Sequence, residues 1–181
     1  DIRSYAALAC IAIQANQNEM HGGQSVPNFD YAMAVGVAKT FKKEYFKALG
    51  QYLQIAKGKT PDDATALCMM AQSEIPQAVS MREMDAYGRA LQEYLENKIA
   101  ISQQEAAQAH AYAQRTALRE TDRATYQAME ALIHNLNTMN SRAGAQVPFS
   151  SLNYGTDTSP EGRMAMRNLL LATEAGLGEG E

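Results

Sequence analysis

Apolar residues recur every three to four positions along most of the chain, so the dominant pattern is helical from the second residue onward. From Ile2 to Glu19, Tyr5, Leu8, Ala9, Ala12 and Ile13 fall on one stripe, and Ala6, Ala7 and Cys10 form a second face that is apolar but shallow. Small residues on that face let another helix approach closely. Gly22 and Gly23 supply the backbone freedom that ends this helix, and the next begins near Pro27 and Asn28, with Asn28 placed to cap it. In the second helix Tyr31, Val35, Ala38, Tyr45, Leu49, Tyr52 and Leu53 make a core stripe. Lys39, Lys43 and Lys47 recur along a different ridge, giving one greasy and one basic face.

Gly58 ends the second helix, and Thr60, Pro61 and Asp63 read as cap, first-turn proline and acidic first turn of a third. Pro76 breaks the pattern. Ser80 with Glu83, and Ser102 with Glu105, each have the spacing of a capping box, in which hydroxyl and carboxylate satisfy each other's backbone amides. Thr121 begins a long periodic helix carrying Tyr126, Met129, Ile133 and Leu136. Gln146 to Tyr154 is the one convincing strand, and Ser159 with Pro160 opens a last helix that Gly176 stops. The prediction is a mainly α chain with one or few strands. It divides into a helix-loop-helix over 1–57, connecting helices over 58–120, and a long helix, a strand and a following helix over 121–181.

A length of 181 residues is enough for a real core without metals or crosslinks. The formal charge of −4 and pI near 5.4 give no general attraction to nucleic acid or anionic membrane, so a phosphate ligand requires a local basic patch. No apolar run reaches the roughly 20 residues needed to cross a bilayer, and no signal-peptide zones open the chain. The reading is cytoplasmic. Cys10 and Cys68 sit far apart in helical patterns, which matches neither a zinc spacing nor a disulfide framework, and both read as small buried hydrophobes.

Two segments carry candidate chemistry. The first is HGGQ, His21 to Gln24, where a glycine pair lets backbone amides approach a ligand and the lysine ridge follows. From the residues alone the favoured reading is a turn followed by a solvated lysine face; His21 has no second ligand at metal spacing. The second is SRAGAQVPFSSLNYGTDTSPEGR, 141–163. Its strand has polar residues on both alternating faces, which suits a barrel holding a polar substrate better than a dry sandwich. The loop from Gly155 to Ser159 enters a helix N-terminus, where amides can face an anion. An ordinary capped loop is favoured, since Glu161 in the first turn would oppose a phosphate.

NQNEMHGGQSVPNFDYAMAVGVAKTFKK (16–43) and NLNTMNSRAGAQVPFSSLNYGTDTSPEGR (135–163) resemble the catalytic subunit of anaerobic ribonucleoside-triphosphate reductase, the glycyl-radical class of ribonucleotide reductases. The resemblance is weakest over 52–119. It implies a fragment of the ten-stranded α/β barrel of glycyl-radical enzymes, from a longer homodimeric polypeptide that reduces ribonucleoside triphosphates. It further implies that Asn18, His21, Gly22, Gly23 and Gln24, with one or more of Lys39, Lys42, Lys43 and Lys47, bind ATP or a deoxynucleoside triphosphate as effector at the dimer axis. Arg142, Gln146, Ser150, Ser151 and Asn153 would then belong to the active-site barrel wall. The parent would use a glycyl radical, a C-terminal metal site and a radical-SAM activating enzyme. Neither the radical loop, the thiyl cysteine, the four-cysteine metal site nor the ATP-cone has a counterpart in these 181 residues, so the expectation is an inactive fragment without catalytic, metal or cofactor residues of its own. The alternative is a helical self-association module that binds no nucleotide.

Overall fold

The structure, a computed structural model, describes residues 1–20, 22–139, 147 and 149–176. Among these it contains six helices and two short strands: α1 (Ile2–Glu19), β1 (Gln24–Val26), α2 (Phe29–Lys57), α3 (Pro61–Glu74), α4 (Met84–Ile99), α5 (Gln103–Thr138), β2 (Ser150–Leu152) and α6 (Pro160–Ala175). The mainly helical class with few strands is as the pattern predicts. The chain forms two compact units, the first from residues 1–40 with the described residues from 122 onward, the second from Phe41–Thr121.

Local signals set several helix starts. The Thr60 hydroxyl accepts from the Asp63 amide with Pro61 in the first turn, and the Ser159 hydroxyl accepts from the Gly162 amide ahead of Pro160. The Ser102–Glu105 box closes in both directions, the Ser102 amide donating to Glu105 Oε2 at 3.0 Å and the Glu105 amide to Ser102 Oγ at 3.3 Å. Ser80 and Glu83 make only half of such a box: the Glu83 amide donates to Ser80 Oγ at 3.2 Å, and α4 starts one residue later without a side-chain cap.

Three expectations change. α5 runs unbroken through Thr121, because 118–126 contains no glycine or proline and Thr121 and Thr125 are buried rather than capping. In α2 the inward stripe near its start is Phe29, Met33 and Val37, while Tyr31 and Val35 are exposed. Tyr45, Leu49 and Leu53 do face inward. In α1 it is Ile2, Ala6, Cys10 and Ile13 that are buried, and Leu8 and Ile11 that are exposed. Both helices carry apolar residues on more than one face, so packing rather than period decides the phase.

The first unit places α1 against α2 and α5. The Ile2 amide donates to Thr40 Oγ1 at 2.9 Å, Gly36 admits Ile2 and Tyr5 where a Cβ would stand 3.1 Å from both, and the Cys10 thiol points at the Leu132 carbonyl. In the second unit Phe41, Tyr45, Leu49 and Leu53 pack with Cys68, with Tyr87, Leu91 and Leu95, and with an alanine seam at Ala106, Ala109, Ala113 and Ala117. At its centre Tyr45 Oη and His110 Nδ1 are 2.8 Å apart. Gly88 is required there, since a Cβ would lie 2.5 Å from His110 Nε2. Cys10 and Cys68 are both free and buried, and burial pushes the Cys68 thiol up to about 11.

Candidate functional site

The HGGQ segment and the strand segment meet. β1 pairs with β2 in parallel, Gln24 opposite Ser150, Ser25 opposite Ser151 and Val26 opposite Leu152. Flanking backbone bonds extend the ladder: the Gln24 amide donates to the Phe149 carbonyl at 2.8 Å, the Asn153 amide to Val26 at 3.0 Å, and the Phe29 amide to Asn153 at 2.9 Å. The Asn153 side chain adds a bond to Ser25 Oγ at 3.2 Å. Of the strand read from sequence at 146–154, Gln146 and Pro148 lie outside the described residues, and Ser150–Leu152 forms strand with a partner within the chain. Three residues bounded by glycines and Pro27 are too few to show a period of two, so β1 leaves no signal.

The loop ahead of β1 is shaped by its own side chains. Gly22 has φ +113, a conformation that favours glycine, and Gly23 passes so close to Phe149 that a Cβ would stand 3.0 Å from its ring. Gln24 turns inward, accepting from Asn16 Nδ2 and donating to the Gly22 carbonyl at 3.3 Å. Asn18 is exposed in the last turns of α1, and His21 lies outside the described residues. Lys39, in the first unit, is exposed, its Nζ donating to the Tyr5 hydroxyl at 2.9 Å and lying 5.2 Å from that ring's centroid. Lys42, Lys43 and Lys47 belong to the second unit. Lys42 is half-buried, Lys43 is exposed, and Lys47 is exposed and paired with Glu44 at 3.3 Å.

Of the wall residues, Arg142 and Gln146 lie outside the described residues. Ser150 is half-buried, and Ser151 and Asn153 are exposed along the ladder. No group of three or more His, Cys, Asp or Glu residues among the described residues is arranged to hold a metal ion. No helix among them is long and apolar enough to cross a membrane.

Sequence reasoning missed Asp30. Its carboxylate is fully buried, and Oδ2 accepts from three consecutive amides, Gly155 at 2.8 Å, Thr156 at 2.9 Å and Asp157 at 2.8 Å; Oδ1 accepts from the Tyr31 amide at 3.0 Å. The loop 155–159 does form an anion-accepting concavity, with Gly155 at φ +117, but its anion is the protein's own side chain. The capped-loop reading of this segment stands on those bonds. Asp157 in turn accepts from the Ser159 amide at 2.8 Å and sits against Gly162, where a Cβ would come within 2.4 Å of it. Burial alone would raise the Asp30 carboxyl; the amides of Asp157, Gly155, Tyr31 and Thr156 together outweigh it and hold the group below the usual carboxylate range.

An acid dependence follows. Burial depresses His110, with Asp85 opposing only in part, so the folded ring is neutral. The unfolded chain takes up that proton below about pH 6.5, so this contribution is complete above about 6.5 and is lost as pH falls through the depressed value. Glu105, held down to about 2 by hydrogen bonds from Lys57 and Ser102, and Asp30 are depressed acids. Their contributions are complete above the unfolded values of about 4.3 and 3.9 and are lost as pH falls through the folded ones. Urea midpoints are expected to fall in two stages, the first below about pH 6.5 and abolished by His110→Gln, the second below about pH 4.3. A midpoint unchanged from pH 7 to 4 would contradict this.

The family model for anaerobic ribonucleoside-triphosphate reductase matches residues 1–181, the entire sequence. No curated protein matches the chain. The family match thus includes the segment over 52–119, where the resemblance is weakest, as well as the two segments joined in the β1–β2 ladder. The chain belongs to the anaerobic ribonucleoside-triphosphate reductase family, whose parent enzymes are oxidoreductases with a glycyl radical.

Proposed function

We propose that this chain is the part of an anaerobic ribonucleoside-triphosphate reductase catalytic subunit that binds the allosteric nucleotide and supplies one wall of the substrate barrel. The observation that carries the reading is the β1–β2 ladder. It sets the glycine loop beside the polar strand within one unit, an arrangement suited to passing an effector's state to a substrate wall. ATP or a deoxynucleoside triphosphate meets Asn18, His21, Gly22, Gly23 and Gln24, with Lys39 of the same unit reaching phosphate. Arg142, Gln146, Ser150, Ser151 and Asn153 are assigned to the segment that supplies the barrel wall. Glycyl-radical chemistry, installed by a radical-SAM activating enzyme, belongs to the parent.

Titration calorimetry tests the nucleotide site. Triphosphates are expected to bind with an affinity that falls as salt rises, because exposed lysines supply much of the attraction. Lys39→Gln is expected to weaken binding about tenfold or more. Lys98→Gln, whose lysine pairs with Glu74, leaves binding unchanged. Equal affinity in all variants would make the lysines a solvated face.

Homodimerisation is part of the same reading. Ala6 and Cys10 face inward, so the association surface falls to the exposed Leu8 and Ile11 of α1 with Tyr31 and Val35 of α2. Leu8→Asp is expected to shift sedimentation toward monomer with helicity retained; unchanged association would exclude this face.

A further inference from the structure

We infer that Asp30 is a positioning residue that fixes the loop Gly155–Asp157 to the start of α2 and so carries a change at the β1 loop to the segment that follows β2. The inference rests on the effector-site reading above. The ladder itself is held by backbone bonds and needs no side chain to form. What it leaves undetermined is where the chain goes after Asn153. Asp30 decides that, since one carboxylate oxygen gathers three successive amides. Tyr31, the next residue, adds a second fastening on the same loop, its hydroxyl donating to the Thr156 carbonyl at 3.3 Å.

The linkage continues in both directions. Backward, Asp30 follows Phe29, whose amide is bonded to Asn153, and lies four residues beyond Val26 of β1. Forward, Asp157 holds the Ser159 amide and Ser159 caps α6. A displacement of β1 therefore moves the start of α2, and the start of α2 cannot move without dragging the 155–157 amides or breaking three bonds to a buried charge. The geometry is that of a stiff strut, with every joint inside the first unit.

The test is hydrogen exchange on the 181-residue chain with and without ATP and each deoxynucleoside triphosphate, read alongside their Kd values. In the unaltered chain, bound nucleotide is expected to slow the amides of Gln24, Asn153 and Gly155–Asp157 about tenfold. In Asp30→Asn the Kd is expected to stay within about threefold while the 155–157 amides lose their response. A purely structural role would not separate the two readouts in this way. Tyr31→Phe, an exposed and gentler change, is expected to reduce the response in the same direction and keeps the question open to test where Asp30→Asn does not fold. If nucleotide binds and both variants transmit to 155–157 undiminished, the strut is overturned and the effector site stands. If no triphosphate binds the unaltered chain, the effector site fails and the strut with it.

Discussion

Asp30→Ala is expected to destabilise the first unit by about 3 kcal/mol, since amides bonded to a buried charge lose their acceptor and each such loss costs roughly 1–3 kcal/mol. Three amides point at Oδ2. The full sum is not expected, because Gly155 and Thr156 are exposed enough for water to replace part of what is lost. Asp30→Asn keeps one acceptor and is expected to cost about half as much. Urea unfolding measures this as a lower midpoint at unchanged slope. A loss below about 0.5 kcal/mol, the range of an ordinary surface substitution, would mean that the loop is held by the ladder alone.

In the second unit the largest effect is expected at Tyr45. It is fully buried, its hydroxyl meets His110 Nδ1 at 2.8 Å, and its ring meets the edges of Tyr87 and Phe46 at centroid distances of 5.5 and 5.6 Å. Burial, with Tyr87 and Cys68 nearby, pushes its phenol far above the ordinary range, so the hydroxyl stays protonated. Tyr45→Ala is expected to cost about 3–5 kcal/mol through the cavity it opens. Tyr45→Phe keeps the ring, strands His110 Nδ1, and is expected to cost about 1–2 kcal/mol. Tyr87→Phe is the matched control: its hydroxyl is buried without a hydrogen-bond partner among the described residues. That change is expected to lie within about 0.5 kcal/mol of neutral. Equal losses for the two phenylalanine variants would remove the Tyr45–His110 bond as a cause.

What was legible in the sequence was local. The starts of α3, α5 and α6 are fixed by residues within four positions of each other, such as Thr60 with Asp63 and Ser102 with Glu105, so reading them requires no knowledge of the fold. The phase of α1 was not legible, because Ala6 and Cys10 are small enough to be buried tightly and Leu8 is tolerated outside. The same ambiguity hid Phe29, Met33 and Val37 behind Tyr31 and Val35. Asp30 in a first helical turn reads as a charge complementing the helix dipole. Nothing around it points to amides 125 to 127 positions away. The two segments bearing the family resemblance were recognisable separately, but their adjacency depended on β1, a strand of three residues.

A nucleoside triphosphate is expected to meet the loop ahead of β1. Photolabelling with an azido-adenine triphosphate, followed by peptide mapping, measures this most directly. Label is expected within residues 16–26, suppressed by unlabelled ATP or deoxynucleoside triphosphate and reduced in the lysine variant that loses affinity. Label confined to other segments, or label that excess triphosphate does not suppress, would contradict it.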